Sequence, residues 1–268
     1  MQRAPDGTAF EVAGPEDGMP VVLVHGLGLN RDCWQWTAPA LTDRYRVIRY
    51  DLYGHGDSPD PPRVPDLALL ARQVCDLVDQ CADAPVALVG FSLGGMIVRR
   101  FAQDWPGRTR ALAILHSPHR RHAEAQAAIR ARVVQARDHG PAATVEDALA
   151  RWFTEAFRAD NPALMETVRG WVLANRRDVY HRLYDVLAEG VDEIVAPRPA
   201  LTCPTLVITG DADHGNGPEM SHAIAAEIPG AQTVILPGLR HMALAEAPER
   251  INRPLRRFLD SLEAKVRA

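Results

Sequence analysis

The chain has 268 residues, of which 47% are hydrophobic, and its formal net charge is −4. The length suits one large α/β domain with an insertion, and the charge gives no reason to expect binding to nucleic acid or to an anionic membrane surface. Lys265 is the only lysine, which leaves no candidate for a Schiff-base lysine or a phosphate-loop lysine. We therefore expect a small-molecule partner.

The cysteines and the N-terminal segment indicate in which cellular compartment the protein is expected. Cys33, Cys75, Cys81 and Cys203 form no CxxC pair and no dense framework, so we expect reduced thiols. The first residues lack a basic start followed by an apolar run, and no apolar stretch reaches membrane-spanning length. These features predict a cytoplasmic protein without a membrane segment.

Short apolar runs rich in β-branched residues alternate along the chain with segments of helical spacing. Six runs predict strands buried on both faces: 21–26, 45–51, 85–91, 111–117, 204–210 and 232–238. Four segments predict helices: 66–81, 93–105, 217–228 and 247–264. This alternation predicts an α/β fold with a doubly wound, mostly parallel sheet.

The alternation stops between residues 118 and 200, where aromatic residues are frequent and no strand pattern occurs. We interpret 118–200 as a helical cap inserted into a core made of residues 1–117 and 201–268. A separate helical domain is the alternative, but such a domain usually follows a recognisable linker.

The pentapeptide from Gly90 to Gly94 places Ser92 in a G-x-S-x-G pattern between a predicted strand and a predicted helix. The glycines allow a sharp reversal of the chain, which holds the serine on a strained turn with its hydroxyl outward. A core serine is the alternative, but the strand and helix on either side favour a nucleophile.

A serine nucleophile needs a base and a group that orients this base. His241 is the histidine that follows a predicted strand late in the chain, and Asp211 and Asp213 follow the strand before it. We prefer Asp213 as the acid, because the extra residues carry its carboxylate beyond the strand end. The chain order Ser92, Asp213, His241 is the one that such a sheet uses.

An acyl-transfer site also needs donors for the oxyanion. The backbone N–H of Leu93 directly follows the nucleophile, and glycines flank Leu27 in the loop after the first predicted strand. We expect these two N–H groups to form the oxyanion hole.

Other residues are candidates for contact with the substrate. His116 ends a predicted strand at the same sheet edge, so we expect it to reach the pocket. Trp152 and Trp171 lie in the insertion and are also candidates, although the alternative is that the aromatic residues Trp152, Trp171 and Tyr184 form the core of the cap and only one of them reaches the pocket. His116 recurs with His119 and His122 at intervals of three, but Pro118 interrupts the series and no carboxylate completes it, so we predict no metal site.

Two arginine pairs, Arg120 with Arg121 and Arg176 with Arg177, could bind a substrate carboxylate. Arginines and acids are both frequent in the insertion. We therefore interpret the pairs as solvated helix faces.

Five segments of the chain resemble motifs of the α/β-hydrolase superfamily, and they occur in its order: "HGLGLNRDCW" (25–34), "YDLYGHGDS" (50–58), "GFSLGG" (90–95), "PTLVITGDAD" (204–213) and "LPGLRHMALAEAP" (236–248). Within this superfamily the sequence is most similar to small esterases and lactonases of the 3-oxoadipate enol-lactonase type and to cofactor-free haloperoxidases. The resemblance implies the same roles for Ser92, Asp213, His241, Leu27 and Leu93. It also implies that "GHGDS" is a structural turn. The spacing from Asp213 to Pro218 is longer than in the usual family turn.

These observations predict a hydrolase of a carboxylic ester or lactone that needs no cofactor and no metal. Perhydrolysis and cleavage of a carbon–carbon bond next to a ketone could use the same triad, so both remain alternatives. A ligand receptor on this scaffold is a third possibility, but an intact set of three catalytic residues argues against it.

Overall fold

The computed structural model describes residues 1–264, so the last four residues of the predicted core, 265–268, lie outside the described residues. Its centre is an eight-stranded sheet in the order β1-β2-β4-β3-β5-β6-β7-β8. The strands are β1 (Gln2–Arg3), β2 (Ala9–Ala13), β3 (Pro20–Val24), β4 (Arg46–Tyr50), β5 (Val86–Phe91), β6 (Thr109–Leu115), β7 (Thr205–Gly210) and β8 (Gln232–Leu236).

Strands β3 to β8 pair in parallel, whereas β1 and β2 add an antiparallel edge. The prediction of a doubly wound, mostly parallel sheet is therefore confirmed, with all six predicted strands present. The two N-terminal strands were missed because β1 has only two residues and β2 reads AFEVA, with a charged residue at its centre. Such short runs carry little periodic signal.

The helices are α1 (Leu67–Cys81), α2 (Leu93–Asp104), α3 (Ala123–His139), α4 (Val145–Trp152), α5 (Glu155–Asp160), α6 (Pro162–Leu173), α7 (Arg177–Glu189), α8 (Pro218–Ala226), α9 (Ala243–Glu246) and α10 (Pro248–Ala264). Three of the predicted helices correspond to α1, α2 and α8, and the fourth is α10, which a short α9 precedes. Helices α3 to α7 occupy the segment between β6 and β7, in which the described chain forms no strand.

The strand β5 lies at the centre of the sheet, between β3 and β6, and all six of its residues are buried. A continuous apolar run suits this position because helices cover both faces of a parallel sheet. The carboxyl ends of parallel strands meet at one edge, where sites of such folds form. Ser92, Asp213 and His241 follow β5, β7 and β8, so the topology brings them to that edge.

The four cysteines are unpaired, and three of them are buried. Within residues 1–264, no helix combines the length and the apolar character needed to cross a bilayer.

Candidate active site

Ser92 lies on a sharp turn between β5 and α2. Its backbone has φ 56° and ψ −115°, a conformation that costs a side-chain-bearing residue about 1–3 kcal/mol. Its N–H donates to the carbonyl oxygen of Leu115 on the neighbouring strand at 2.8 Å, which holds the turn in place. Ser92 is 6% exposed and lines a cavity. A strained residue that faces a cavity is typical of a functional site.

Two glycines make this turn possible by allowing close backbone approach. A Cβ atom on Gly94 would lie 2.1 Å from the carbonyl oxygen of Val24, and one on Gly90 would lie 2.3 Å from the carbonyl oxygen of Gly94. Any side chain at either position would therefore push α2 away from the sheet. The close backbone contacts thus explain why glycine occupies both positions of the G-x-S-x-G pattern.

His241 lies in the loop after β8 and is hydrogen-bonded to Asp213. Its Nδ1 atom lies 2.7 Å from Oδ2 of Asp213. This bond leaves Nε2 as the nitrogen available to act as a base. The residue is 7% exposed, and its ring lies beside that of Phe91, with the ring centroids 4.9 Å apart. The packing and the hydrogen bond together set the orientation of the imidazole.

The carboxylate of Asp213 is buried and accepts four hydrogen bonds. Oδ1 accepts from the backbone N–H groups of Gly215 and Asn216 at 3.0 and 3.1 Å, and Oδ2 accepts from two histidines. The additional residues between Asp213 and Pro218 thus form a loop that binds the carboxylate. Asp211 is exposed and accepts instead from the N–H of Gly238 at 2.6 Å.

The second histidine bonded to Asp213 is His116, which does not reach the cavity as predicted. Its Nδ1 lies 2.9 Å from Oδ2 of Asp213. The side chain is fully buried and does not line the cavity. The physical reason is a left-handed backbone with φ 49° at the end of β6, at the point where the chain leaves the strand. The amide of Asn216 bonds to the His116 carbonyl oxygen at 2.8 Å and holds this conformation.

Burial and hydrogen bonding act in opposite directions on this cluster. Burial alone would raise the pKa of Asp213, but the two histidines that face it hold this pKa well below its usual range. Burial lowers the pKa of His116 and outweighs the opposite effect of Asp213. A neutral His116 can donate only through the protonated nitrogen, so the bond to Asp213 places this proton on Nδ1.

Leu27 lies in the loop after β3, and Leu93 directly follows Ser92 as the first residue of α2. Within the described residues, neither backbone N–H has a hydrogen-bond acceptor. The loop that contains Leu27 is held at Gly28, where φ is 77°, since its N–H donates to Nε2 of His55 at 3.0 Å and its carbonyl accepts from Asn175 at 3.1 Å. The "GHGDS" turn therefore positions the loop after β3.

The hydrogen bonds that hold the loop after β3 depend on histidine rings that stay neutral. His25 accepts from the N–H of Leu52 at 3.0 Å through Nε2, as His55 accepts from Gly28. Burial lowers the pKa of His25 to about 4 and that of His55 to about 3. Both rings therefore keep an acceptor nitrogen at neutral pH.

The cavity above Ser92 has a volume of about 210 Å³. Besides Leu27, Ser92, Asp213 and His241, its lining comes from the insertion and the acid loop: Arg121, Ala125, Ala128, Ile129, Arg132, Thr144, Ala148, Arg151, Trp152, Tyr180, Tyr184, Leu187, His214, Gly215 and Asn216. Trp152 lines the cavity, with its ring 6.2 Å from that of His241. Trp171 does not reach the cavity as predicted. Its ring packs on that of Trp36, with the ring centroids 6.3 Å apart, and the residue is not part of the cavity lining.

The end of α4 is tied to the loop of His241. The N–H of Met242 donates to the carbonyl oxygen of Trp152 at 2.8 Å, and the guanidinium of Arg240 donates to that of Ala150 at 2.6 Å. The residues on both sides of His241 are thereby bonded to the insertion. Sequence reasoning missed this link because both acceptors are backbone carbonyl oxygens, which no residue pattern marks.

The interpretation of Arg121 as part of a solvated helix face is wrong. Arg120 extends outward and pairs with Asp192, but Arg121 turns into the cavity and donates to the carbonyl oxygens of Leu187 and Ala188 at 3.2 and 3.4 Å. Neighbouring residues before a helix point in different directions, so the pair cannot share one environment.

The histidines at intervals of three bind different partners. His119 bonds to Glu227 at 3.0 Å, and His122 accepts from the N–H of Ala125 at the start of α3. Side-chain atoms of His116, Asp213 and His241 do lie within 4.8 Å of one another, a spacing that could hold a cation. Both Nδ1 atoms already bond to the same carboxylate oxygen, which accounts for this spacing.

Comparisons with known proteins agree with this architecture. Residues 21–253 match the model of the "Alpha/beta hydrolase family". The chain is 27% identical to "(E)-2-((N-methylformamido)methylene)succinate hydrolase" of Acinetobacter baylyi over 91% of this chain and 92% of that protein. Among solved structures, it is similar to the enol-lactonase from Burkholderia xenovorans LB400, with a TM-score of 0.87, 25% identity and coverage of 95% and 98%. It is also similar to a thermophilic esterase from Thermogutta terrifontis (malate bound), with a TM-score of 0.86, 31% identity and coverage of 97% and 96%.

Proposed function

The chain belongs to the alpha/beta hydrolase family, and from this premise we propose that it hydrolyses a small carboxylic ester or lactone through an acyl-enzyme on Ser92. The hydrolase, the enol-lactonase and the esterase to which it is similar support this reaction class. The observation that carries the proposal is the hydrogen bond of 2.7 Å between His241 and Asp213 at the cavity that Ser92 lines.

In the acylation step, Oγ of Ser92 attacks the carbonyl carbon while Nε2 of His241 takes the hydroxyl proton. The carbonyl oxygen becomes an oxyanion, to which the N–H groups of Leu27 and Leu93 donate. The carbon–oxygen bond to the leaving alcohol then breaks, and His241 gives its proton to the departing alkoxide. In a lactone this alcohol stays attached to the acyl group.

Deacylation repeats these steps with water. His241 takes a proton from the water, whose oxygen attacks the acyl carbon, and returns this proton to Oγ of Ser92 as the acid leaves. Asp213 stays ionised throughout and stabilises the imidazolium in both steps. Hydrogen peroxide in place of water would give a peracid from the same acyl-enzyme.

A fluorophosphonate probe tests the nucleophile, because Oγ of an activated serine displaces its fluoride and forms a stable phosphorus–oxygen bond. We expect mass spectrometry to locate the label on Ser92 and the Ser92→Ala variant to remain unlabelled. A label on another serine would overturn the assignment. Hydrolysis of p-nitrophenyl esters and lactones, with and without peroxide, then distinguishes ester hydrolysis from perhydrolysis.

A further inference from the structure

Three arginine side chains line the same cavity as Ser92 and His241. Arg121 precedes α3, Arg132 lies within α3, and Arg151 lies in the last turn of α4. All three are half-buried. The insertion therefore places three guanidinium groups around the space that a substrate would occupy.

None of the three has a carboxylate partner in the part of the chain that the structure describes. No acidic oxygen lies within 4.0 Å of their nitrogens, and Nε of Arg132 is buried without any hydrogen-bond partner. Asp213 is the one carboxylate among the described cavity residues, and its oxygens are occupied. The charges of Glu189 and Asp147 act on these guanidinium groups only from beyond salt-bridge distance, so the protein compensates the positive charge of this cavity only in part.

Nearby arginines outside the cavity behave differently. Arg120 pairs with Asp192, and Arg130 on α3 pairs with Glu189 at 2.7 Å. Their side chains are 63% and 61% exposed. These two surface arginines thus have acidic partners, whereas the three inside the cavity do not.

The clustering has an energetic cost. Burial lowers the pKa of Arg121 to about 10 and also lowers that of Arg151, and in both cases the charge of Arg132 adds to the effect. Like charges in a partly desolvated site repel one another, and an anion bound among them would offset this cost. Unpaired, mutually repelling arginines are therefore difficult to explain by stability alone.

We propose that Arg121, Arg132 and Arg151 bind a carboxylate group of the substrate, so that the preferred substrate is a small anionic ester or lactone. The guanidinium fork matches a carboxylate in two parallel hydrogen bonds. The cavity of about 210 Å³ restricts the substrate to a small molecule. This inference rests on the proposed function, since it places the carboxylate at a distance from the carbonyl that Ser92 attacks.

Two esters of matched shape provide the kinetic test. Methyl hydrogen glutarate carries a carboxylate where methyl 5-methylhexanoate carries an isopropyl group. We expect kcat/KM for the anionic ester to exceed that for the neutral one by at least 10-fold. Arg132→Gln and Arg151→Gln should lower kcat/KM for the anionic ester about 10-fold, chiefly through KM, and change the neutral ester less than 3-fold.

Arg120→Gln is the matched control, because it removes a charge next to Arg121 but outside the cavity, and we expect it to behave as the unmodified protein. Arg132→Lys keeps the charge and should retain part of the preference. Thermal melting verifies that each variant is folded. Equal kcat/KM for the two esters, or an Arg120→Gln variant that loses as much as Arg132→Gln, would overturn the proposal.

A binding measurement separates this proposal from the proposed function. Calorimetric titration of glutarate into the Ser92→Ala variant requires no catalysis, and we expect binding that Arg132→Gln weakens about 10-fold. If glutarate binds in this way but neither ester is hydrolysed, the anion site stands and the hydrolase assignment fails. Absence of glutarate binding, or tighter binding of inorganic phosphate than of glutarate, overturns the carboxylate site.

Discussion

The Nδ1 atom of His116 lies 2.9 Å from the carboxylate oxygen of Asp213 that also accepts from His241. His116 is fully buried and burial lowers its pKa, so it faces the site as a neutral hydrogen-bond donor to this oxygen. The bond restrains the same carboxylate oxygen that accepts from His241. His116 is therefore a positioning residue whose removal should affect the chemical step.

We expect His116→Ala to lower kcat about 10-fold with little change in KM, because a hydrogen bond to a buried charge is lost. His116→Asn should restore most of the activity, since its amide can replace the Nδ1 donor and asparagine tolerates the left-handed backbone at this position. Steady-state kinetics on one ester measures both. An Asn variant as impaired as the Ala variant would mean that the ring only fills space.

Ser92, the proposed nucleophile, has a strained backbone. We expect both Ser92→Ala and Ser92→Gly to lower ester turnover about 10³-fold or more, because the nucleophile is lost. The Gly variant should be about 1 kcal/mol more stable than the Ala variant, since glycine adopts the observed φ of 56° without strain. Urea denaturation of the two variants measures this difference, and a less stable Gly variant would contradict the strain.

The two acidic residues after β7 should differ strongly in their effect. Asp213→Asn removes the charge that stabilises the imidazolium of His241 and should lower kcat about 10²- to 10⁴-fold. Asp211→Asn changes an exposed side chain that bonds only to a backbone N–H, so we expect less than a 3-fold change. Parallel kinetics on the two variants measures this contrast. Larger losses in Asp211→Asn would move the acid to that residue.

The hydrogen bond from the N–H of Gly28 to the buried ring of His55 predicts a pH dependence of stability. The unfolded chain protonates His55 below about pH 6.5, whereas the folded chain resists this down to about pH 3. The folded pKa is depressed, so stability is complete above pH 6.5 and is lost as pH falls. We expect His55→Gln to reduce the loss between pH 6.5 and pH 5 by about 2 kcal/mol.

The exposed His222 provides the control for this measurement. His222→Gln should leave the pH dependence of urea denaturation unchanged. An equal dependence in the His55→Gln variant and in the unmodified protein would show that His55 titrates alike in both states.

Substitution of Trp152 should change substrate selectivity, whereas substitution of Trp171 should change stability. Trp152→Ala enlarges the cavity next to His241, so we expect a shift of preference towards longer acyl groups that is worth about 1–3 kcal/mol per methylene. Trp171→Ala should lower the melting temperature and leave the preference unchanged, because Trp171 packs on Trp36 instead. A series of p-nitrophenyl esters of increasing length measures the preference, and equal profiles for both variants would contradict the prediction.

The fold class and the order of the main elements were readable from the sequence. Apolar runs such as 85–91 predict buried strands from neighbouring residues alone, because a strand buried on both faces must be apolar throughout. The positions of Ser92, Asp213 and His241 at one edge were also predictable, since each follows a strand of a parallel sheet. The glycines around Ser92 carried the same kind of local signal.

The tertiary structure alone decided which side chains meet inside the site. His116 bonds to Asp213 because of a single left-handed residue at the end of β6, and no periodicity predicts such a torsion. Arg121 and Arg151 share a cavity although they lie 30 residues apart on different elements. The direction of a side chain depends on how helices pack over the sheet, which is a property of long-range contacts and leaves no pattern in neighbouring residues.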